Sequence, residues 1–73
     1  LYNVPGRTVA NIEASTTARL AADVPNIIGT KEASANMAQV GEILRTTPDS
    51  FLVYSGDDGS VLPLVALGGA GVI

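Results

Sequence analysis

The chain has 73 residues, 47% of them apolar and 15% charged, with a net charge of −3 and neither cysteine nor histidine. That composition belongs to a segment covered by other structure rather than to a solvated or disordered one, and chains of this size bury only roughly 60% of their unfolded surface, so a core of its own must be small. A disulfide framework and a thiolate or imidazole metal site are excluded, and the singly scattered Arg7, Arg19, Lys31 and Arg45 form no patch for nucleic acid.

Tyr2-Asn3 and Arg7 come before the first helix, the arginine in an Asn-Val-Pro-Gly-Arg turn that proline and glycine make rigid. Ile12 to Val24 predicts that helix, with Ala18, Leu20, Ala21 and Ala22 on overlapping faces and Pro25 closing it. Asn26 to Thr30 is a short apolar run that predicts a strand, with Lys31-Glu32 just beyond its end. Met37, Val40, Gly41 and Leu44 recur at i, i+3, i+4 and i+7 and predict an amphipathic helix, capped by Ser34 or Asn36 and ended before Pro48. Phe51 to Ser55 predicts a second strand, followed by Ser55-Gly56-Asp57-Asp58. Asp58 or Ser60 can cap a short, mostly buried helix that runs through Leu67, tolerates Pro63 in its first turn and stops at Gly68-Gly69. Gly71 to Ile73 predicts a third strand.

Near-continuous apolar strands alternating with helices predict an α/β fold with parallel strands and right-handed crossovers. A doubly wound sheet and a (β/α)8 barrel both fit, and since a barrel runs to about 250 residues this chain could supply only about a quarter to a third of one. No linker or second domain is visible. The longest uncharged apolar stretch, Val61 to Ile73, contains a proline and glycines and is shorter than the ~20 residues of a membrane-spanning helix, so a soluble protein without a membrane partner is expected. The chain begins at Leu1 rather than Met and stops at Ile73 within a strand pattern, so neither natural terminus is expected among these residues.

In parallel α/β folds the ligand-handling residues gather where strands hand over to helices. Tyr2-Asn3 with Arg7, Lys31-Glu32, and Ser55-Gly56-Asp57-Asp58 all occupy such positions and are expected to converge on one mouth. Lys31 is the only lysine, and alternation places it on the side of Gly29 and Ile27. Burial, and a neighbouring cation such as Arg7, would favour its neutral amine, the form that attacks a ketone. A surface lysine at a strand end is the plainer reading, and residues alone leave both open. Arg7 could grip a carboxylate with two parallel bonds or be a solvated loop arginine. Tyr2 could relay a proton or be a core tyrosine with a satisfied hydroxyl. Asp57 and Asp58 read as turn and cap residues, since adjacent aspartates point apart and a lone pair seldom holds a divalent ion. Gly68-Gly69-Ala70-Gly71 precedes a strand, which suits a tight helix-to-strand turn better than a phosphate-cradling loop.

Taken together, Tyr2-Asn3-Val4-Pro5-Gly6-Arg7-Thr8, Ile28-Gly29-Thr30-Lys31-Glu32-Ala33-Ser34, Ser55-Gly56-Asp57-Asp58 and Leu67-Gly68-Gly69 with Gly71-Val72-Ile73 resemble the dihydrodipicolinate synthase family of the N-acetylneuraminate lyase and class I pyruvate aldolase superfamily. The resemblance spans essentially the whole chain. It implies the C-terminal portion of a (β/α)8 barrel, from the end of strand five into strand eight, and so favours the barrel over the doubly wound sheet.

It also implies a lysine Schiff base with pyruvate, whose enamine adds to aspartate semialdehyde on the way to lysine and diaminopimelate. By motif, Lys31 forms the Schiff base and Tyr2 relays protons. Arg7 binds the aldehyde substrate's carboxylate, and Gly56 and the backbone of Ile73 line the pyruvate pocket. No metal or cofactor is implied, and a cytoplasmic homo-oligomer, commonly a tetramer, is. Arg7 separates the synthases from N-acetylneuraminate lyases, which lack an arginine in this turn. Other Schiff-base pyruvate aldolases, such as sugar-acid aldolases, and a catalytically silent barrel that binds partners are the alternatives. Val9 replaces a frequent glycine, and Thr30 replaces the usual aliphatic and is expected to face the helices. The threonine and second tyrosine of the family's proton relay, its first strands and its allosteric lysine site are not in these residues, so the 73 residues alone are expected to be inactive.

Overall fold

The computed structural model describes all 73 residues. In chain order it contains β1 (Tyr2–Asn3), α1 (Pro5–Thr8), α2 (Ala14–Asp23), β2 (Gly29–Glu32), α3 (Met37–Thr46), β3 (Leu52–Ser55), a 3-10 turn (Asp58–Ser60), α4 (Val61–Ala66) and β4 (Gly71–Val72). The four strands are parallel and lie in sequence order, β1-β2-β3-β4.

That order decides between the two candidate architectures. A doubly wound sheet reverses direction at a switch point and carries helices on both faces, whereas strands added steadily in one direction by right-handed crossovers leave every helix on one side. Here the buried strand residues Asn3, Thr30, Glu32, Val53 and Ser55 all share one face by register, and α2, α3 and α4 form the layer there. The arrangement is that of consecutive units of a (β/α)8 barrel, the helix-covered face being the barrel's outside.

The core is correspondingly thin. Val40 and Ile43 of α3, Leu64 of α4, and Phe51 and Val53 at β3 are its buried apolar residues, with Ala14, Ala21, Ile27, Met37 and Leu44 packed around them. Gly69 exists for this packing, because a Cβ there would lie 2.1 Å from Leu64 Cδ2. Gly68, at φ +116°, ends α4 in a backbone region that favours glycine.

Several boundaries differ from the sequence reading. The strand expected over Asn26 to Thr30 runs instead over Gly29–Glu32, so Lys31 and Glu32 lie inside it. Both neighbouring strands cause this: the Lys31 and Ala33 N–H groups donate to the carbonyls of Leu1 and Asn3 at 2.8 Å, and Lys31 and Glu32 pair with Tyr54 and Ser55 of β3, extending the ladder through a polar pair that looks like loop. Ile27 therefore precedes β2 and joins the core, so only Gly29 shares the Lys31 side. Thr30 faces the helices as expected. The Pro-Gly-Arg-Thr stretch winds into one helical turn with Pro5 at its start, where proline lacks no needed donor. Asn36 rather than Ser34 caps α3, its side chain accepting the Gln39 N–H at 3.0 Å. Neither Asp58 nor Ser60 caps α4 with its side chain, because the Ser60 hydroxyl turns back to donate to the Asp57 carboxylate at 2.6 Å. Nor is α4 mostly buried: only Leu64 is, while Leu62 is 81% exposed. On the solvent side of α3, hydrogen bonds from Arg45 hold the Glu42 carboxyl below its usual range.

Candidate active site

Partner residues in a parallel ladder project to the same face, so the register assembles the site row by row. Tyr2, Lys31, Tyr54 and Gly71 form one row, on the face without helices. Gly29 and Leu52 form the row before it. Gly29 permits that pairing, since a Cβ there would meet the Leu52 carbonyl oxygen at 2.6 Å.

Lys31 leans across this row onto its neighbour. Its ammonium nitrogen lies 4.1 Å from the centroid of the Tyr2 ring, over the electron-rich face that attracts a cation. On the other side its stem runs along Gly56, where a Cβ would meet Lys31 Cε at 2.9 Å and Ala33 Cβ at 2.8 Å. Gly56 is thus the floor that lets the lysine lie flat. Ile73 follows β4 and donates its N–H to the Ser55 carbonyl at 2.9 Å, which brings its backbone next to Gly56 at the carboxyl ends of β3 and β4.

Four of the five site residues expected from sequence are therefore gathered on one rim: Tyr2, Lys31, Gly56 and Ile73. Arg7 stands apart, on the exposed α1 that leaves the carboxyl end of β1, with its guanidinium bonded to no carboxylate of this chain. The enclosed setting expected for Lys31 is not supplied by these residues. The lysine is half-buried and Tyr2 is 50% exposed, because the face they share has no layer over it here.

Glu32, expected at the same mouth as Lys31, lies behind it instead: alternation turns Glu32, with Asn3 and Ser55, to the helix-covered side. Glu32 is only 2% exposed, and its Oε2 accepts from Asn3 Nδ2 at 2.8 Å, Ser34 Oγ at 2.5 Å and Gln39 Nε2 at 2.9 Å. Asn11 closes the network, accepting from Asn3 at 3.0 Å and donating to Gln39 at 2.9 Å. Asn3 also accepts the Ile12 N–H at 2.9 Å. The clue in the sequence was the clustering of amides and a hydroxyl around one acid, which no periodicity test detects. The chain's one larger surface hollow, about 390 Å³ between Thr16, Arg19, Leu20, Asp23 and Val24 on α2, lies away from all of these residues.

Comparison with known proteins gives a consistent result. A family model described as the dihydrodipicolinate synthetase family matches residues 1–73. The 4-hydroxy-tetrahydrodipicolinate synthase of Bacillus subtilis (strain 168) is 53% identical over the whole of this chain, which corresponds to 25% of that protein. The crystal structure of the dihydrodipicolinate synthase of Cyanidioschyzon merolae with lysine bound superposes with a TM-score of 0.97 at 52% identity, over 100% of this chain and 24% of that one. A monomeric dihydrodipicolinate synthase variant superposes with a TM-score of 0.94 at 43% identity, over 99% of this chain and 25% of that one. The chain spans about a quarter of the length of the relatives it matches.

Proposed function

The chain belongs to the dihydrodipicolinate synthetase family, and on that footing we propose that the protein carrying it is a synthase of lysine and diaminopimelate biosynthesis that condenses pyruvate with aspartate semialdehyde. Lys31 is the nucleophile. Its neutral amine adds to the keto carbon of pyruvate and water leaves, giving a protonated imine. Loss of a proton from the methyl carbon yields an enamine, and that carbon attacks the aldehyde carbon of the second substrate. The amino group of that substrate then displaces Lys31 from the imine carbon, closing the ring and freeing the lysine.

Tyr2 relays protons in this scheme, since a phenol can both give and take one. Arg7 binds the carboxylate of the aldehyde substrate with paired N–H donors, and Gly56 and the Ile73 backbone line the place of pyruvate. The observation that carries the reading is the Lys31 amine over the Tyr2 ring, 4.1 Å from its centroid, at the strand-end rim of the open face. Assignment of these residues to strands five to eight of the barrel, a cytoplasmic location and a homotetrameric assembly belong to the same proposal. No helix here is long and apolar enough to cross a membrane. Since one similar structure is of a monomeric variant, assembly is to be read directly, by light scattering on the full-length protein.

The central test is reductive trapping. Full-length protein treated with pyruvate and borohydride should gain one reduced pyruvate adduct, located by mass spectrometry on the peptide containing Lys31, and Lys31→Ala should gain none and turn nothing over. An unmodified Lys31, or an adduct on a different lysine, would overturn the proposal.

A further inference from the structure

We infer that Glu32 is a positioning residue: from the helix-covered face it locks β1 against β2, through Asn3, in the register that lays Tyr2 against Lys31. The inference rests on the Schiff-base reading for its link to catalysis, but its structural content stands on geometry alone.

β1 is a two-residue strand held by two register pairs, Tyr2 with Lys31 and Asn3 with Glu32. So short a ladder specifies register weakly, and a slip of one residue would turn Tyr2 to the opposite face. The pair adjacent to the Tyr2–Lys31 rung is the one the polar network cross-links, by the 2.8 Å bond from Asn3 Nδ2 to Glu32 Oε2. Ser34 and Gln39 hold the same oxygen from the α3 side, and Asn11 and Ile12 hold Asn3 from the loop that follows α1. The acid therefore ties β1, its following loop, β2 and α3 at one point.

Stability alone does not account for a carboxyl group there. Its second oxygen, Oε1, is buried with no hydrogen-bond partner, and the chain's only ion pair is the exposed Glu42–Arg45 contact. An apolar side chain of similar volume would avoid leaving a bare polar atom in the interior. What it could not do is gather three donors from separate elements onto one atom beside the nucleophile, and so tie those elements together.

The test uses the full-length protein, with Glu32→Gln keeping a carbonyl oxygen for the three donors and Glu32→Ala removing it. Folded Glu32→Ala should lose kcat by about 100-fold, the scale of a misplaced reacting group. KM for pyruvate should stay within about threefold, because the network touches none of the proposed substrate contacts. Glu32→Gln should recover kcat to within about tenfold of wild type. Backbone hydrogen exchange should speed up at Lys31 and Ala33, which donate to β1, and not at Leu52 or Gly56, which join β2 to β3. If Glu32→Ala does not fold, Ser34→Ala removes a single donor and should show the same pattern with roughly a three- to tenfold fall in kcat. A folded variant with wild-type kcat, or exchange that rises evenly across all four sites, would overturn the inference. If wild-type protein forms no reducible pyruvate adduct, the functional reading fails, and exchange at Lys31 and Ala33 decides the positioning role without it.

Discussion

The two faces of this sheet are made from alternate residues of the same strands, yet they are built for different ends. The helix-covered face is closed: Asn3, Thr30, Glu32, Val53 and Ser55 are all buried on it. The other face, with Tyr2, Lys31, Leu52 and Tyr54, is open in this chain and carries the proposed nucleophile, Lys31. Burial that stabilises and side chains proposed to react are thus separated by one step along the backbone, because successive side chains in a strand point to opposite sides. Glu32 is the exception, a closed-face residue whose proposed effect is on the open face.

Substitutions should expose this division, and the largest effect is expected on the open face. In the full-length protein, Tyr2→Phe should lower kcat by about 10²- to 10³-fold, the usual contribution of a positioned proton donor, with no change in melting temperature. A melting shift with unchanged kcat would erase the distinction between the faces. On the closed face, Ile43→Ala should cost about 2–5 kcal/mol of stability through the lost transfer energy and the cavity left behind. The folded fraction should keep its kcat, as denaturant titration combined with active-site counting would show.

The smallest effect is expected at a residue belonging to neither face. Val9 sits at φ 56° after α1 and is 95% exposed, so a β-branched side chain holds a left-handed conformation with no packing in return. Val9→Gly should stabilise the protein by about 1 kcal/mol, seen as a rise in melting temperature without a change in KM or kcat. A fall would show that exposed Val9 makes a contact elsewhere in the full-length protein.

Much of this was legible from residues alone. The Met37, Val40 and Leu44 spacing placed α3, and the Gly68-Gly69 stop placed the end of α4, because both depend on interactions a few residues apart. The site was legible in a different way: four short motifs in order resembled one family, and the structure brings Tyr2, Lys31, Gly56 and Ile73 to one rim. Less legible was the end of β2. Lys31-Glu32 reads as loop because charged pairs usually leave a strand, and pairing with β1 on one side and β3 on the other keeps it in the ladder.

What the sequence by itself determined, then, was the alternation of strands and helices, the parallel α/β class and the motifs that single out Lys31 for the proposed chemistry. Tertiary structure decided that the strands run in sequence order with helices on one side, that Lys31 stacks on Tyr2, and that a carboxyl group can be buried at Glu32. The physical reason is distance along the chain: Ser34 and Gln39 lie near Glu32 in sequence, but the Asn3 amide that ties it to β1 is 29 residues away. Local patterning carries no record of such a partner, and only folding brings it within reach.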